Sequence, residues 1–461
     1  MAPRVRFAPS PTGYLHLGSA RSALFNWLYA RHTDGTLVLR IEDTDRERSS
    51  QEMIDLILRT FDWLGIEFDE GPYHQSERGQ LYLDAAEKLF AAGQAYYCDL
   101  TPAEIAERTG GQGYDGYSRD RGLGPGPGRV LRFRVPDEGA TVVRDVIRGD
   151  VEFEHADLED FVIVRSDGSP VFLLANAVDD ADMAISHVVR GEDLLNTTPK
   201  VLLLWEALGY GEPPVYAHLP LIVNDQGKKL SKRRDDVAVE DYRARGYLPE
   251  AMVNYLALLG WGPRDDVEVR PVAEIIEQFE LTDISKGSAR FDPKKLEHVN
   301  GEKIRALPLD ELLALARPYV EAADWFDAAS FDEERWQAVG PLVQERARTL
   351  ADVPSVIDFL FLADPQVDEA SWEKIMVKGP DAAGVLDDAI AAYADAEWTT
   401  DVLHETLRSL GEGRDLKLGK AQAPVRVAVT GRTVGPPLFE ALELLGRDET
   451  LRRLEAARQR L

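Results

Sequence analysis

His16-Leu17-Gly18-Ser19 follows a turn rich in proline and glycine, Pro9-Ser10-Pro11-Thr12-Gly13, and precedes apolar residues at helical spacing, Ala20, Ala23, Leu24, Trp27 and Leu28. A helix starting there points unpaired backbone N–H groups and the positive end of its dipole back at the turn, which suits a phosphate. His16 can donate a hydrogen bond to a phosphate oxygen, and Gly18, lacking a side chain, lets a flat ring such as adenine lie on the backbone. Far along the chain, the stretch 225–234 gathers Lys228, Lys229, Lys232, Arg233 and Arg234 around Leu230 and Ser231. A basic loop beside Gly227 can close over a polyphosphate and stabilise charge developing on departing pyrophosphate. Together the two segments read as the halves of an ATP site.

Regular elements must hold these segments. Val5 and Phe7 read as a short strand, and the first helix ends near Asp34-Gly35. The apolar run Thr36–Ile41 reads as a buried strand that closes a β-α-β unit. Ligands of such sheets sit at the carboxyl ends of the strands, where Glu42 falls. Thr44 and Asp45 read as caps of a following helix marked by Ile54, Ile57, Leu58 and Phe61. From about Tyr96 the pattern changes. Residues 110–128 are rich in Gly and Pro and read as a loop, flanked by β-like runs at 130–135, 141–147 and 161–165. The nucleotide fold then resumes with strands expected over 171–176, 187–190 and 215–223 and a helix over 201–208. Beyond Asp241 strand signals fade, and helical spacing recurs in 309–320, 341–362, 382–393 and 438–457. The expected fold is α/β: a Rossmann-type parallel-sheet nucleotide-binding domain with a mixed α/β insertion, followed by an all-helical C-terminal region. The expected boundaries are 1–95 and 186–240 for the two halves of the nucleotide domain, 96–185 for the insertion, then 241–310 and 311–461.

The length of 461 residues suits about three domains. The N-terminus carries no apolar segment before a small-residue cleavage site, and no apolar run approaches membrane-spanning length, so a cytoplasmic protein without membrane contact is expected. A single cysteine, Cys98, excludes an internal disulfide and a cysteine-rich metal cluster. No two of the eight histidines stand at metal-ligand spacing, so no metal site is expected. A net charge of −28 opposes a polyanionic partner overall. Locally, however, Arg414, Lys417, Lys420, Arg426 and Arg432 are countered by Asp415 alone. That stripe suits either a nucleic-acid contact or a solvated helix face.

In order along the chain, Phe7-Ala8-Pro9-Ser10-Pro11-Thr12-Gly13, Leu39-Arg40-Ile41-Glu42-Asp43-Thr44-Asp45, Asp69-Glu70-Gly71-Pro72, Gln75-Ser76-Glu77-Arg78, Val188-Val189-Arg190-Gly191-Glu192-Asp193 and the Lys229 loop resemble bacterial glutamyl-tRNA synthetases. His16-Leu17-Gly18-Ser19 and Lys229-Leu230-Ser231-Lys232-Arg233 resemble the HIGH and KMSKS signatures of their class, the class I aminoacyl-tRNA synthetases. The similarity covers nearly the whole chain and is most specific through residue 300. Farther on, Leu418-Gly419-Lys420 and Pro424-Val425-Arg426-Val427-Ala428-Val429-Thr430-Gly431 still fit.

The resemblance implies ATP-dependent formation of glutamyl-adenylate and transfer of glutamate to the terminal adenosine of tRNA(Glu). It implies Mg2+ arriving with ATP and a monomer; because Cys98 is followed by Asp99 and Leu100 and no second cysteine exists, no zinc is expected. It assigns catalysis to His16, Lys229 and Lys232, and ATP binding to Pro9, Thr12, Gly13, His16, Gly18, Ser19, Leu230, Ser231 and Lys232. Glutamate presents two carboxylates and an ammonium, so its site needs fixed cations and an anion. By similarity Arg6 and Arg190 hold carboxylates, Glu42 takes the ammonium, and Ser10, Phe172 and Asn176 complete the shell. Without the resemblance, Arg6 and Arg190 read as exposed charges at strand ends. Relatives usually place Thr-Tyr where this chain has Val171-Phe172, so either a hydroxyl to glutamate is missing or the Phe172 ring simply packs. Arg346 matches a position linked to anticodon reading. The resemblance also gives 96–185 the acceptor end, 241–310 the tRNA stem, and 311–461 the anticodon through two subdomains. Three alternatives stay open: a small-molecule nucleotidyltransferase, a relative that glutamylates a tRNA base, and a noncatalytic tRNA-binding paralogue. The first two should lack the region beyond 310.

Overall fold

The computed structural model describes residues 2–44, 49–230 and 238–461, so Asp45, Ser231, Lys232, Arg233 and Arg234 lie outside the described residues. The chain forms two compact units, Met1–Arg243 with Pro249–Leu296, and Ala244–Leu248 with Glu297–Leu461.

In the first unit, strands β1 (Arg4–Phe7), β2 (Thr36–Ile41), β3 (Glu70–His74), β4 (Ala95–Cys98), β5 (Val130–Phe133), β6 (Ala140–Asp145), β7 (Gly149–Glu154), β8 (Val162–Val164), β9 (His187–Gly191) and β10 (Val215–Leu219) are interspersed with helices. The helices are α1 (Leu17–His32), α2 (Gln51–Leu64), α3 (Gly79–Ala91), α4 (Pro102–Thr109), α5 (Phe172–Asp182) and α6 (Thr198–Ala207). The main sheet runs β3-β2-β1-β9-β10-β6-β7 and is parallel except for β7. Leu37, Val38, Leu39 and Ile41 of β2 are all buried, the near-continuous apolar run of a strand covered on both faces. From β1 the chain builds outward through β2 and β3 on one side, and later through β9 and β10 on the other. Strand order therefore reverses between β1 and β9, the position at which open α/β sheets form a ligand crevice.

Three expectations change here. The run 141–147 does not stay inside the insertion: β6 pairs with β10 at Asp145 and Tyr216, and β6 and β7 extend the main sheet. Only β4, β5 and β8 form a separate antiparallel sheet. The expected strand over 171–176 is instead the start of α5. Its residues Leu173, Leu174, Ala175 and Val178 are buried in a cluster with Leu131, Phe133, Phe161 and Ile163. A short apolar run buried all round has no periodicity to separate strand from helix, and Leu and Ala are good helix formers. Finally, Thr44 does not cap α2, because the Ser50 hydroxyl accepts from the Met53 N–H and the helix begins only at Gln51.

The second unit contains helices at Leu309–Glu321, Glu333–Arg346, Val353–Phe361, Ala382–Asp395, Thr400–Gly413, Leu418–Thr430, Leu438–Leu445 and Arg447–Arg460, and no strand among its described residues. The expected helix over 341–362 is split by a Thr349-Asp352 capping box, and the one over 438–457 by Gly446 at φ +88°. The α/β unit and the helical C-terminal unit agree with the expected fold class. Among the described residues, no helix is long and apolar enough to cross a membrane.

Candidate active site

The turn after β1 leads into the start of α1, whose unpaired N–H groups suit an anion. Pro9 is buried and its carbonyl accepts from the Glu42 N–H at 2.9 Å, tying the turn to the end of β2. Ser10 and Thr12 are exposed, with the Thr12 N–H donating to the Ser10 carbonyl at 2.9 Å, and Gly13 is half-buried. His16 caps α1: its Nδ1 accepts the Ser19 N–H at 3.2 Å. An accepting Nδ1 leaves the ring proton on Nε2, which stands 3.1 Å from the Ser19 hydroxyl in an exposed ring. A Cβ on Gly18 would come within 3.2 Å of that Nδ1, so glycine keeps both the ring and the helix start clear.

The basic loop is described only to Leu230. It leaves the sheet through a turn in which the Asn224 N–H donates to the Lys228 carbonyl at 2.9 Å, and the Leu230 N–H donates to the Ile222 carbonyl at 3.2 Å. Lys229 Nζ meets Asp193 at 3.0 Å, with both side chains more than half exposed, so a solvated pair of this kind holds the lysine only weakly.

A set of buried charges surrounds the strand ends at the reversal. Arg6 of β1 and Arg190 of β9 are 4% and 7% exposed, which excludes the reading as exposed strand-end charges. Arg6 Nε donates to Asp180 Oδ1 at 3.1 Å. Arg40 of β2 is fully buried and donates to Asp180 at 2.7 Å and to the Asn176 Oδ1 at 2.6 Å, with Glu42 at 3.6 Å and Asp179 at 3.7 Å. Asp179 also receives Gln75 at 3.0 Å, the Tyr82 hydroxyl at 2.8 Å and Arg78 at 2.8 Å. Phe172 and Asn176 lie one turn apart on α5, and the Phe172 ring packs against the apolar cluster under that helix.

Electrostatics follow from burial and pairing. Burial pushes the Asp180 carboxyl up, but Arg6 and Arg40 outweigh it and hold it below the ordinary range. For Glu42 burial wins over the attraction of Arg40, Arg6 and Arg190, and its carboxyl titrates high. Burial likewise lowers the Arg190 guanidinium. With Asp179 matched by Arg78, the guanidiniums of Arg6, Arg40 and Arg190 exceed the carboxylates of Asp180 and Glu42 by one charge. Glutamate, with two carboxylates and one ammonium, carries the complementary net charge.

Of the residues named from the sequence, Arg6, Glu42, Asn176 and Arg190 come together. Phe172 neighbours them, His16, Gly18 and Ser19 form the adjacent helix start, and Arg346 belongs to the second unit. Sequence reasoning missed Arg40, Asp179, Asp180, Tyr216, His218 and Asp145. Acidic residues at 179 and 180 within an apolar helix, and a lone histidine in the strand Val215–Leu219, were the available signals.

The family model for the catalytic domain of class I tRNA synthetases (E and Q) matches residues 3–298, and that for an anticodon binding domain matches 311–458. The chain is 55% identical over 464 residues to a glutamate-tRNA ligase of Frankia casuarinae, covering 99% of this chain and 98% of that protein. It is 56% identical over 469 residues to one of Thermobifida fusca, with the same coverage. A solved glutamate-tRNA ligase of Elizabethkingia meningosepticum, in complex with its amino acid, superposes with a TM-score of 0.85 at 31% identity, over 100% of this chain and 99% of that one. A parallel sheet whose reversal gathers these buried charges beside a capped helix start, joined to a helical C-terminal unit and matched over its full length, means that the chain belongs to the glutamyl-tRNA synthetase family of class I aminoacyl-tRNA synthetases.

Proposed function

We infer that the enzyme activates L-glutamate with ATP as glutamyl-adenylate and transfers the glutamyl group to the 3′-terminal adenosine of tRNA(Glu). The observation that carries this reading is the set of buried Arg6 and Arg190 and half-buried Glu42 at the sheet's reversal, two cations and an anion of the kind an amino acid with a second carboxylate requires. Arg6 and Arg190 take carboxylates, Glu42 the ammonium, and Ser10, Asn176 and the Phe172 face the remaining surface. Pro9, Thr12, Gly13, His16, Gly18 and Ser19 bind ATP together with Lys229, Leu230, Ser231 and Lys232.

When the glutamate carboxylate attacks the α-phosphorus, charge grows on the phosphate oxygens, and His16, Lys229 and Lys232 stabilise it there. No protein nucleophile is needed. Mg2+ enters as part of the MgATP substrate. Zinc has no role in this reading, since Cys98 is the sole cysteine and is buried beside Tyr96 and Tyr114. Residues 1–95 and 186–240 act as the catalytic domain together with β6, β7 and α5, the rest of 96–185 receives the acceptor end, 241–310 the stem, and 311–461 the anticodon, with Arg346 among the readers. The enzyme works as a cytoplasmic monomer.

Exchange of labelled pyrophosphate into ATP, run with glutamate and with or without tRNA(Glu), tests the reading. The expected result is exchange that needs glutamate and stays negligible until tRNA is added, with glutamate ending in an alkali-labile ester on the tRNA. Glutamate that stays with the tRNA body after nuclease removal of the 3′-terminal adenosine would point to base modification, and an absence of exchange under both conditions to a noncatalytic protein.

A further inference from the structure

We propose that His218 and Asp145 are positioning residues that aim the Arg190 guanidinium, and so set how tightly the enzyme holds a glutamate carboxylate. This rests on the reading above that Arg190 binds that carboxylate.

The register of the sheet brings the three together. Arg190 of β9 and His218 of β10 are direct cross-strand partners, and β6 joins β10 at Asp145 and Tyr216. His218 and Asp145 have no exposed side-chain surface. The His218 Nδ1 lies 2.7 Å from Asp145 Oδ2, which also accepts the His218 N–H at 2.9 Å, while Oδ1 accepts the N–H groups of Ile147 at 2.9 Å and Arg148 at 2.7 Å. Burial pushes the Asp145 carboxyl up, but His218 and the Arg148 and Ile147 N–H groups outweigh it and keep it ionised and purely an acceptor. Burial also lowers the imidazole of His218, against the pull of Asp145, so the ring is neutral. An acceptor at Nδ1 fixes the ring proton there and turns the Nε2 lone pair outward.

That lone pair accepts from Arg190 Nε at 3.3 Å and faces the Thr198 hydroxyl at 3.0 Å. Arg190 Nη2 donates to the Thr198 Oγ1 at 2.8 Å. Two of the three nitrogens are thus committed to β10 and α6, and Nη1 has no hydrogen-bond partner among the described residues. The Tyr216 ring, parallel to His218 within 4°, lies 5.8 Å from the guanidinium. A planar fork fastened along one edge cannot turn, so its remaining donor keeps a single direction. Asp145 comes from β6, so a strand added at the edge of the main sheet fixes the aim of a side chain on β9.

The test uses the full-length enzyme in aminoacylation of tRNA(Glu). His218→Phe keeps a ring beside Tyr216 but removes the acceptor, whereas His218→Gln keeps an acceptor. His218→Phe is expected to raise the glutamate KM by about tenfold or more, the effect of losing a charge-assisted hydrogen bond, with the ATP KM and kcat within about threefold of the parent. His218→Gln should restore the glutamate KM to within about threefold of the parent. In Asp145→Asn a carboxamide N–H can supply Nδ1 and move the ring proton to Nε2, against Arg190, so the glutamate KM should again rise selectively. The proposal is overturned by a parental glutamate KM in His218→Phe, by a proportional rise in the ATP KM, or by Gln failing as badly as Phe. Parent enzyme that does not charge tRNA with glutamate would refute the underlying reading instead, which keeps the two failures apart.

Discussion

Glu42 sits within reach of three guanidiniums and still titrates above the ordinary carboxylate range, because lost hydration outweighs their attraction. A carboxyl whose folded pKa is raised binds its proton more readily in the native state, so stability falls as pH rises from the ordinary glutamate value through the raised folded one. The penalty is absent below the unfolded value and complete only above the folded one. Glu42→Gln should therefore raise the melting temperature at pH 7, with a gain that shrinks toward zero as the scans move below pH 4.5, while the glutamate KM rises because the ammonium loses its counter-charge. In the proposed reading Lys232 has a different role, its charge mattering chiefly when pyrophosphate departs. Lys232→Ala should slow adenylate formation by about tenfold or more in single-turnover assays while glutamate and tRNA affinities stay near parental values. His16, Gly18, Glu42 and Arg190 were legible as candidates because they stand inside contiguous motifs. Arg40, Asp180, His218 and Asp145 were not, since their partners lie 140 and 73 positions away and only the sheet's register unites them.

At the scale of elements, α5 is the piece the sequence misreads and the site most depends on. The apolar run that opens it is buried on every side, so neither period shows, and the same burial obliges Asp179 and Asp180 to find cations. They find them in β1, β2 and the segment after β3: Arg6 and Arg40 on Asp180, Arg78 on Asp179. The helix is fastened to the sheet by charge as well as by its cluster of Leu173, Leu174 and Val178. Removing one partner of such a network strands the others without water. Asp180→Ala should cost about 3–5 kcal/mol in urea unfolding, whereas surface substitutions such as Asp84→Ala should stay within about 0.5 kcal/mol. Parental stability in Asp180→Ala would mean that Arg6 and Arg40 are held by something other than this carboxylate. Strands β9 and β10 were foreseeable because Val188, Val189, Val215 and Tyr216 are strand-favouring residues; the placement of β6 and β7 was not, because which sheet a hairpin joins is decided by long-range pairing.

At the scale of the whole molecule, a chain of net charge −28 must bind a polyanion through local exceptions. The basic stripe of the second unit is thinner in space than in sequence. Arg414 pairs with Asp388 at 2.6 Å and with Asp381, Arg432 pairs with Asp358, and Arg426 is half-buried and donates to the Pro436 carbonyl at 2.6 Å. Those three arginines hold the helices together. Lys417 and Lys420 remain exposed, as does Arg346, whose charge helps burial depress the guanidinium of Arg426. Each phosphate neutralised adds about 0.7–0.9 to the slope of log affinity against log salt. Replacing Lys417 and Lys420 together by Ala should therefore weaken tRNA(Glu) binding at low salt and lower that slope by about 1.5, measured by filter binding across a salt series. Arg414→Ala should do the opposite, lowering the melting temperature while the slope stays parental, because its charge is already spent on Asp381 and Asp388. The glutamate KM, set by buried groups, should barely change over the same salt range. A slope unchanged by the double lysine variant would move the tRNA contact away from this stripe and onto cations of the first unit.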